Sequence, residues 1–412
     1  MEASAGTPFA ALAHAFLPAD SDRRGLVVEA DLDRPFASAR VPDDVDVVIW
    51  GRLAGRSGPA LRQAAAREVG LRLLRAALPE PLRVIAVHRL RAHRRDASAR
   101  SRARAVLRGG VLVEIASPHA GPRVLDAVAR AAGAHELGEI HAGVGGTVLV
   151  PARLSSGAAA IVRVACAGGP GDPSRMAPTL EALATAGVGP VVPRLLASGV
   201  TAGASWTAER ALPGSRPPGL TPELVQDAVA TCARLPMTDG PPTAPVDDLR
   251  AAATLLPERA AALEALAASL APALAGLPGV LRHGDLWIGN LLWSHGVLSG
   301  IVDWDAAHPA GVPGADLVQL IAGDERRSAR RGRRDLGAAV AARPWRSSAF
   351  AAATADYWRA IGVTPDPQTL DAAGIGWWAC EVHHTLVRLP HRAADERWVA
   401  ANVDAALAAL TR

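Results

Sequence analysis

The sequence predicts a mixed α+β chain: a small α/β region, then a strand-rich region, then a long helical one. Three observations predict it. Over residues 1–130, short runs rich in Val, Leu and Ile alternate with a helical stretch. Over 135–215, glycine turns separate apolar strands, and from 216 onward most apolar positions recur at helical spacing. At 412 residues and 42.5 kDa the chain suits two or three domains and can bury a substantial core.

Taken in order, Leu26–Glu29, Val45–Trp50, Leu82–His88 and Val111–Ile115 read as strands. Pro59–Leu78 reads as a helix, because Leu61, Ala65, Val69, Leu73 and Leu74 repeat on one face. No phosphate loop or dinucleotide fingerprint occurs in this first region, so 1–130 is a small α/β domain with no role assigned. Glu136–Ala142 and Thr147–Arg153 then read as a strand pair joined by Gly143-Val144-Gly145-Gly146, with Ala158–Ala165 as a third strand. A helix is predicted from about Ser174 to Ala186. Pro213 and Gly214 break structure where the strand-rich region ends. Helices follow at Pro222–Arg234, Pro257–Leu274, about Ala349–Ile361, Leu370–Leu389 and Glu396–Leu410, interrupted by strands over 281–305.

Half the residues are hydrophobic and 20% charged, which excludes a disordered chain. All 44 basic residues are Arg and none is Lys, so individual arginines carry less information than usual. The net charge is +4, and residues 82–108 hold nine Arg against the single acid Asp96. No aromatic residue is interleaved there to stack on bases, so a solvated loop is expected and nucleic acid is not expected as a partner. Cys166, Cys232 and Cys380 are widely spaced and fit reduced thiols rather than a disulfide framework. The chain opens without a signal-peptide pattern and has no apolar run long enough for a membrane span, so a soluble, cytoplasmic protein is expected.

The most informative stretch is His283-Gly284-Asp285-Leu286-Trp287-Ile288-Gly289-Asn290, followed by Ile301-Val302-Asp303-Trp304-Asp305. An Asp, an Asn five positions on, and a second Asp beyond a short hairpin are the groups that phosphoryl transfer from a nucleotide needs. One carboxylate steers the proton of the attacking hydroxyl, while the amide oxygen and the other carboxylate hold the magnesium that bridges the phosphates. Asn occurs only at 290 and 402, and one of the two falls where a metal-binding amide is wanted. The bland alternative, in which Asp285 caps a helix, Asn290 sits in a turn and Asp303 ends a strand, leaves the ordered set unexplained.

This run, HGDxxxxN followed by DWD, resembles the aminoglycoside phosphotransferase family, whose relatives phosphorylate antibiotics, choline, sugars and amino alcohols. The resemblance covers roughly residues 135–410. It implies a two-lobed protein-kinase-like fold, with a mostly β N-lobe at 135–215 and a mostly helical C-lobe at 216–412. It also implies ATP or GTP and Mg²⁺ as cofactors, and a small-molecule hydroxyl as acceptor. Asp285 would be the catalytic base, with Asn290 and Asp303 as metal ligands. Gly143, Gly145 and Gly146 would let the backbone approach the phosphates. The runs Val188–Gly199 and Trp206–Gly214 look like the fourth strand, fifth strand and hinge, where adenine would pair with backbone near Ala208 to Arg210. His283 would fix the loop by hydrogen bonds, and Asp316 would brace it. Asp305 would either support the site or face solvent. His383, His384, Arg388 and His391 could line a substrate pocket, although packing and surface exposure explain them as readily.

The chain departs from the family pattern at two places. Arg163 stands where a Lys should grip the α- and β-phosphates; it keeps the charge with a longer, planar group. The helix that should brace it has Glu181 as its only acid, and the leucine pattern puts Met176 at the bracing position. These departures motivate a second reading, a nucleotide-binding scaffold that no longer transfers phosphate and uses 1–130 to bind a partner. The C-terminal region is only mildly acidic, so the sequence does not favour polycationic aminoglycosides over sugars, amino alcohols or related metabolites.

Overall fold

In a computed structural model of the chain, the described residues are 25–29, 47–52, 83–92, 110–116, 123–138, 140–142, 147–168, 172–328 and 335–410. They belong to two compact units, Met1–Ala177 with Leu195–Ala211, and Pro178–Arg194 with Leu212–Arg412. The helix expected at Pro59–Leu78, the Gly143–Gly146 turn and residues 82 and 93–108 of the Arg-rich stretch lie outside the described residues.

The first unit is built on one ten-stranded sheet. Its strands are β1 (Gly25–Glu29), β2 (Val47–Arg52), β3 (Arg83–Ala92), β4 (Gly110–Ala116), β5 (Ala134–Leu137), β6 (His141–Ala142), β7 (Val148–Leu154), β8 (Ala159–Cys166), β9 (Leu195–Thr201) and β10 (Ala204–Arg210). The order is β1-β2-β4-β3-β6-β7-β8-β10-β9, with β5 also on β7. The parallel pairing of β3 with β6, Arg91 opposite His141, makes the first four strands continuous with the rest. The strand expected over Glu136–Ala142 is two short pieces, β5 and β6. At the break between them the Gly138 N–H donates to the Pro151 carbonyl at 2.6 Å.

Side chains alternate across this sheet. One face carries Val148, Val150, Val162, Val164, Trp206 and Ala208 into a core with Val124, Leu125 and Val128 of helix α1 (Val124–Ala131). Those helical positions sit on a single stripe, so α1 covers the sheet with its apolar side. The opposite face takes Arg163, Thr207 and Glu209, because Arg163 is in register with Thr207 and Ile161 with Glu209.

The segment predicted as a helix from Ser174 is a 3₁₀ turn, Pro173–Met176, running into α2 (Ala177–Thr185). Met176 is fully buried, whereas Glu181 is exposed. Of the two residues weighed as a brace for Arg163, one therefore lies in a core and the other faces solvent.

The second unit is mostly helical: α3 (Pro222–Cys232), α4 (Ala244–Leu255), α5 (Ala260–Leu274), α6 (Ala315–Ser328), α7 (Leu336–Ala342), α8 (Ser348–Ala360), α9 (Pro367–Arg388), α10 (Glu396–Val399) and α11 (Ala405–Leu410). Its strands are β11 (Met237–Thr238), β12 (Gly279–Arg282) and β15 (His308–Gly311) in one sheet, and β13 (Leu291–Ser294) with β14 (Val297–Ile301) as a hairpin. The 22-residue α9 is the spine. Asp366 caps it by accepting from the Thr369 N–H at 2.7 Å, Pro367 opens it, and Trp377 and Trp378 are buried along it. The final helix expected over Glu396–Leu410 is widened by a π turn at Ala400–Asp404. Asn402, inside that turn, accepts from the Leu336 N–H through its side chain and from the Trp378 indole N–H through its backbone carbonyl, both at 2.9 Å. A widened turn is the conformation that frees a backbone carbonyl for such a partner. Among the described residues, no helix is long and apolar enough to cross a membrane. Cys232 and Cys380 are buried free thiols, which burial pushes well above the usual thiol range.

Candidate active site

β12 delivers the chain into the His283–Asn290 loop, whose backbone is held from behind by two helices. Asp316, in the first turn of α6, accepts from the N–H groups of His283 (2.7 Å) and Gly284 (2.9 Å). That is the brace expected of it. Gln319, one turn further on, accepts from the Leu286 N–H at 2.9 Å. From α9, the Cys380 thiol lies 3.3 Å from the Gly284 carbonyl oxygen. Gly284 turns the chain at φ +77°, and a Cβ there would lie 2.2 Å from the Ala306 carbonyl oxygen. Only glycine fits both constraints. Gly284→Ala should therefore cost about 1–3 kcal/mol in denaturant unfolding and displace the loop enough to lower turnover. Wild-type stability and rate in that variant would contradict this account of the loop.

His283 is a positioning group. Its Nδ1 accepts from the Asp285 N–H at 3.1 Å, so the ring proton sits on Nε2, which donates to the Val302 carbonyl at 3.0 Å. Both ring nitrogens are occupied, and the ring lies 4.5 Å from Trp304. This link ties the Asp285 loop to the segment that carries Asp303.

Asp285 is 2% exposed. One carboxylate oxygen lies 3.4 Å from the Gln319 amide nitrogen; the other is 3.3 Å from the Asn290 amide nitrogen and 3.7 Å from the Arg388 guanidinium. The Asn290 amide nitrogen also donates to the Asp285 backbone carbonyl at 2.9 Å. With its nitrogen committed in this way, the Asn290 amide keeps its oxygen as the acceptor for a further partner. The β13–β14 hairpin pairs Leu291 with Ile301, and the Val302 N–H donates to the Asn290 carbonyl at 2.9 Å. Asn290 and Asp303 are thus brought to the same end of one hairpin. Asp303 takes a left-handed conformation, φ 74° and ψ 57°, which Asp tolerates better than most residues yet which still stores strain. These are hard oxygen donors, the kind Mg²⁺ takes while keeping several waters. Among the described residues no group of three or more His, Cys, Asp or Glu side chains is arranged to hold a metal. At this end of the hairpin the oxygen donors on offer are the Asn290 amide and the Asp303 carboxylate.

Two arginines accompany these carboxylates. Burial lowers the basicity of Arg216, and Asp303 opposes that. Burial works against the charge of Arg388 as well, but Asp305, Asp285 and Asp303 together more than offset it and make the guanidinium more basic than usual. Arg388 Nη2 lies 2.7 Å from Asp305. Sequence reasoning named Arg388 only as one of several pocket candidates. Its place as the last residue of α9, where a cation complements the helix dipole, was the available signal.

Arg163, Ala208 and Arg210, the residues expected on the nucleotide side, lie in the first unit. Arg163 is buried at 9% exposure, and its Nε donates to Glu209 at 2.7 Å across the β8–β10 pair. Glu209, 2% exposed, was not anticipated as its partner. The signal was the alternation Ser205, Thr207, Glu209 against Trp206 and Ala208, which marks a polar face on β10. Ala208 is in register with Val162 on β8 and with Ala197 on β9, so its backbone lies within the sheet and its side chain is in the core. The pairing with β9 ends at Glu209, and Arg210 is in register only with Ala160 of β8. Gly143, Gly145 and Gly146 lie outside the described residues.

The chain matches the family model described as the phosphotransferase enzyme family over residues 152–372, more than half of its length. No curated protein matches it. Among solved structures it is similar to a macrolide 2'-phosphotransferase from Brachybacterium faecium, at 19% identity and TM-score 0.43, covering 67% of this chain and 96% of that one. It is also similar to an aminoglycoside-3'-phosphotransferase of type VIII (20% identity, TM-score 0.41, 61% and 94% covered). A third is an aminoglycoside phosphotransferase from Streptomyces rimosus in complex with ADP and streptomycin (14% identity, TM-score 0.38, 58% and 93% covered). The family match takes in Arg163, Glu209 and the whole Asp285, Asn290 and Asp303 set: the chain belongs to the phosphotransferase enzyme family.

Proposed function

We propose that this phosphotransferase moves the terminal phosphoryl group of ATP or GTP, with Mg²⁺, onto a hydroxyl of a small molecule such as an aminoglycoside, a sugar, an amino alcohol or a related metabolite. The observation that carries the reading is the joint placement of Asp285, Asn290 and Asp303. Asn290 is hydrogen-bonded to Asp285, and its carbonyl accepts from the N–H of Val302, the residue before Asp303, so all three belong to one loop and hairpin. Asp285 orients the acceptor hydroxyl and takes its proton as the bond to phosphorus forms. Arg388 lies 3.7 Å from that carboxylate. Asn290 and Asp303 would hold the magnesium, which when bound neutralises the charge on the phosphates.

Arg163 would hold the α- and β-phosphates, with Glu209 fixing its guanidinium. This pairing supports the phosphotransferase reading over the inactive scaffold, because a carboxylate braces the phosphate-side cation. Arg163→Ala should weaken nucleotide affinity or turnover by about 10- to 150-fold, the worth of a charge-assisted contact. Arg163→Lys should keep much of the activity. Titrating both variants with nucleotide checks this, and wild-type behaviour of the Ala variant would remove Arg163 from the site. The function itself is tested by a screen of sugars, amino alcohols and aminoglycosides read by nucleotide consumption. Magnesium-dependent nucleotide binding without turnover on any acceptor would favour the scaffold.

A further inference from the structure

Arg388 lies beyond residue 372, where the family match ends, yet its guanidinium reaches the centre of the site. Its Nη1 is 3.7 Å from the Asp285 oxygen that also faces Asn290, and its Nη2 is 2.7 Å from Asp305. The two partners differ. The Asp285 side chain is 3% exposed and fixed by Gln319 and Asn290, whereas the Asp305 side chain is 39% exposed. An ion pair open to water on one side is weak and exchangeable, so Asp305 acts as a replaceable occupant of the Arg388 fork. The acceptor hydroxyl must come within hydrogen-bond reach of Asp285, so a substituent beside that hydroxyl on the Arg388 side meets the guanidinium. Arginine matches a carboxylate or phosphate with two parallel bonds and repels an ammonium group.

We propose that Arg388 is the acceptor-recognising residue of this phosphotransferase and that the acceptor is a hydroxyl compound bearing an anionic group, typically a carboxylate, beside the reacting hydroxyl. That group displaces Asp305 from Arg388 on binding. The proposal rests on the phosphotransferase reading and narrows it away from polycationic acceptors.

The test uses matched sets in which one scaffold carries a neutral, an acidic or an amino substituent: glucose, glucuronate and glucosamine, and glycerol, glycerate and 3-aminopropane-1,2-diol. Nucleotide consumption and calorimetric binding are measured on the full chain. The acid of at least one set should show a KM or Kd about 10-fold or more below that of its amine, the worth of one charge-assisted contact. Arg388→Gln should erase that difference mainly through KM, and Arg388→Lys should restore part of it. Asp305→Asn removes the internal competitor and should lower the KM for the acid. A merely structural pair would instead lose stability with no gain for any acceptor. Preference for the amine, an unchanged order in Arg388→Gln, or a KM raised equally for all compounds in Asp305→Asn would each overturn the assignment. Turnover without acid preference sinks the subsite alone. Arg388-dependent acid binding without turnover leaves the subsite standing and sinks the phosphotransferase reading, and neither binding nor turnover overturns both.

Discussion

Asp285→Asn should lower acceptor-dependent turnover by about 10²- to 10⁴-fold, the range general-base removal commonly produces. Nucleotide affinity should stay within about threefold of wild type, because no contact to phosphate is lost. The substitution keeps the shape of the side chain. The Asn290 bond to the backbone carbonyl of residue 285 and the Asp316 bonds to His283 and Gly284 are also retained. Steady-state kinetics alongside a denaturation curve separates the effect from misfolding. A variant with wild-type turnover on a true acceptor would mean that Asp285 is not the base.

Asp248→Ala should be the most damaging substitution away from the reacting groups. Asp248, on α4, lies 2.6 Å from the Arg282 guanidinium and 2.8 Å from His383 Nδ1. The Arg282 and Asp248 side chains are 5% and 8% exposed, and Arg282 is the residue immediately before the loop. Removing one partner of a buried pair strands the other charge and typically costs about 3–5 kcal/mol. At about 2–4 °C per kcal/mol, Tm should fall by roughly 10 °C. Turnover should fall too, because the stranded arginine is joined to His283. The pair also predicts a pH dependence. Burial raises the Asp248 pKa, but Arg282 and His383 more than compensate, so the carboxyl sits below its ordinary value. A depressed folded-state pKa stabilises the protein above the ordinary carboxylate range, and that contribution is lost as pH falls through the folded value. Wild-type stability should therefore drop in acid through this group, and an Asp248→Asn variant, already weaker at neutral pH, should lack that part of the slope. Parallel acid-denaturation limbs for the two proteins would contradict it.

The local parts of this fold were legible in the sequence, and the parts that depend on register or on distant packing were not. The four short strands before residue 117, the β13–β14 hairpin and α9 follow from apolar runs, a turn and helical spacing. The Asp285, Asn290 and Asp303 set was legible because loop and hairpin are contiguous in sequence. α4 was missed: its residues Ala244–Leu255 include Pro245, two adjacent Asp and a run of Ala, which blur the apolar stripe. Glu209 could not be named as the partner of Arg163 without knowing that Thr207 faces Arg163, because a slip of one residue would have turned Glu209 to the opposite face. Gln319 and Arg388 reach the loop from helices that begin 25 or more residues after it, and Glu381 holds Gln319 from the second of them. Nothing local in the chain announces that Gln319 bridges Asp285 to Glu381, at 3.4 and 2.8 Å.

The most direct measurement is mass-spectrometric detection of phosphorylated product after incubating the protein with ATP or GTP, Mg²⁺ and a mixed library of acidic, neutral and amino hydroxyl compounds. The predicted result is one or a few compounds heavier by a single phosphoryl group. The product should be absent in Asp285→Asn and absent when magnesium is chelated. Product that persists without Asp285, or no product from any compound despite magnesium-dependent nucleotide binding, would contradict a phosphotransferase built on the Asp285, Asn290 and Asp303 set.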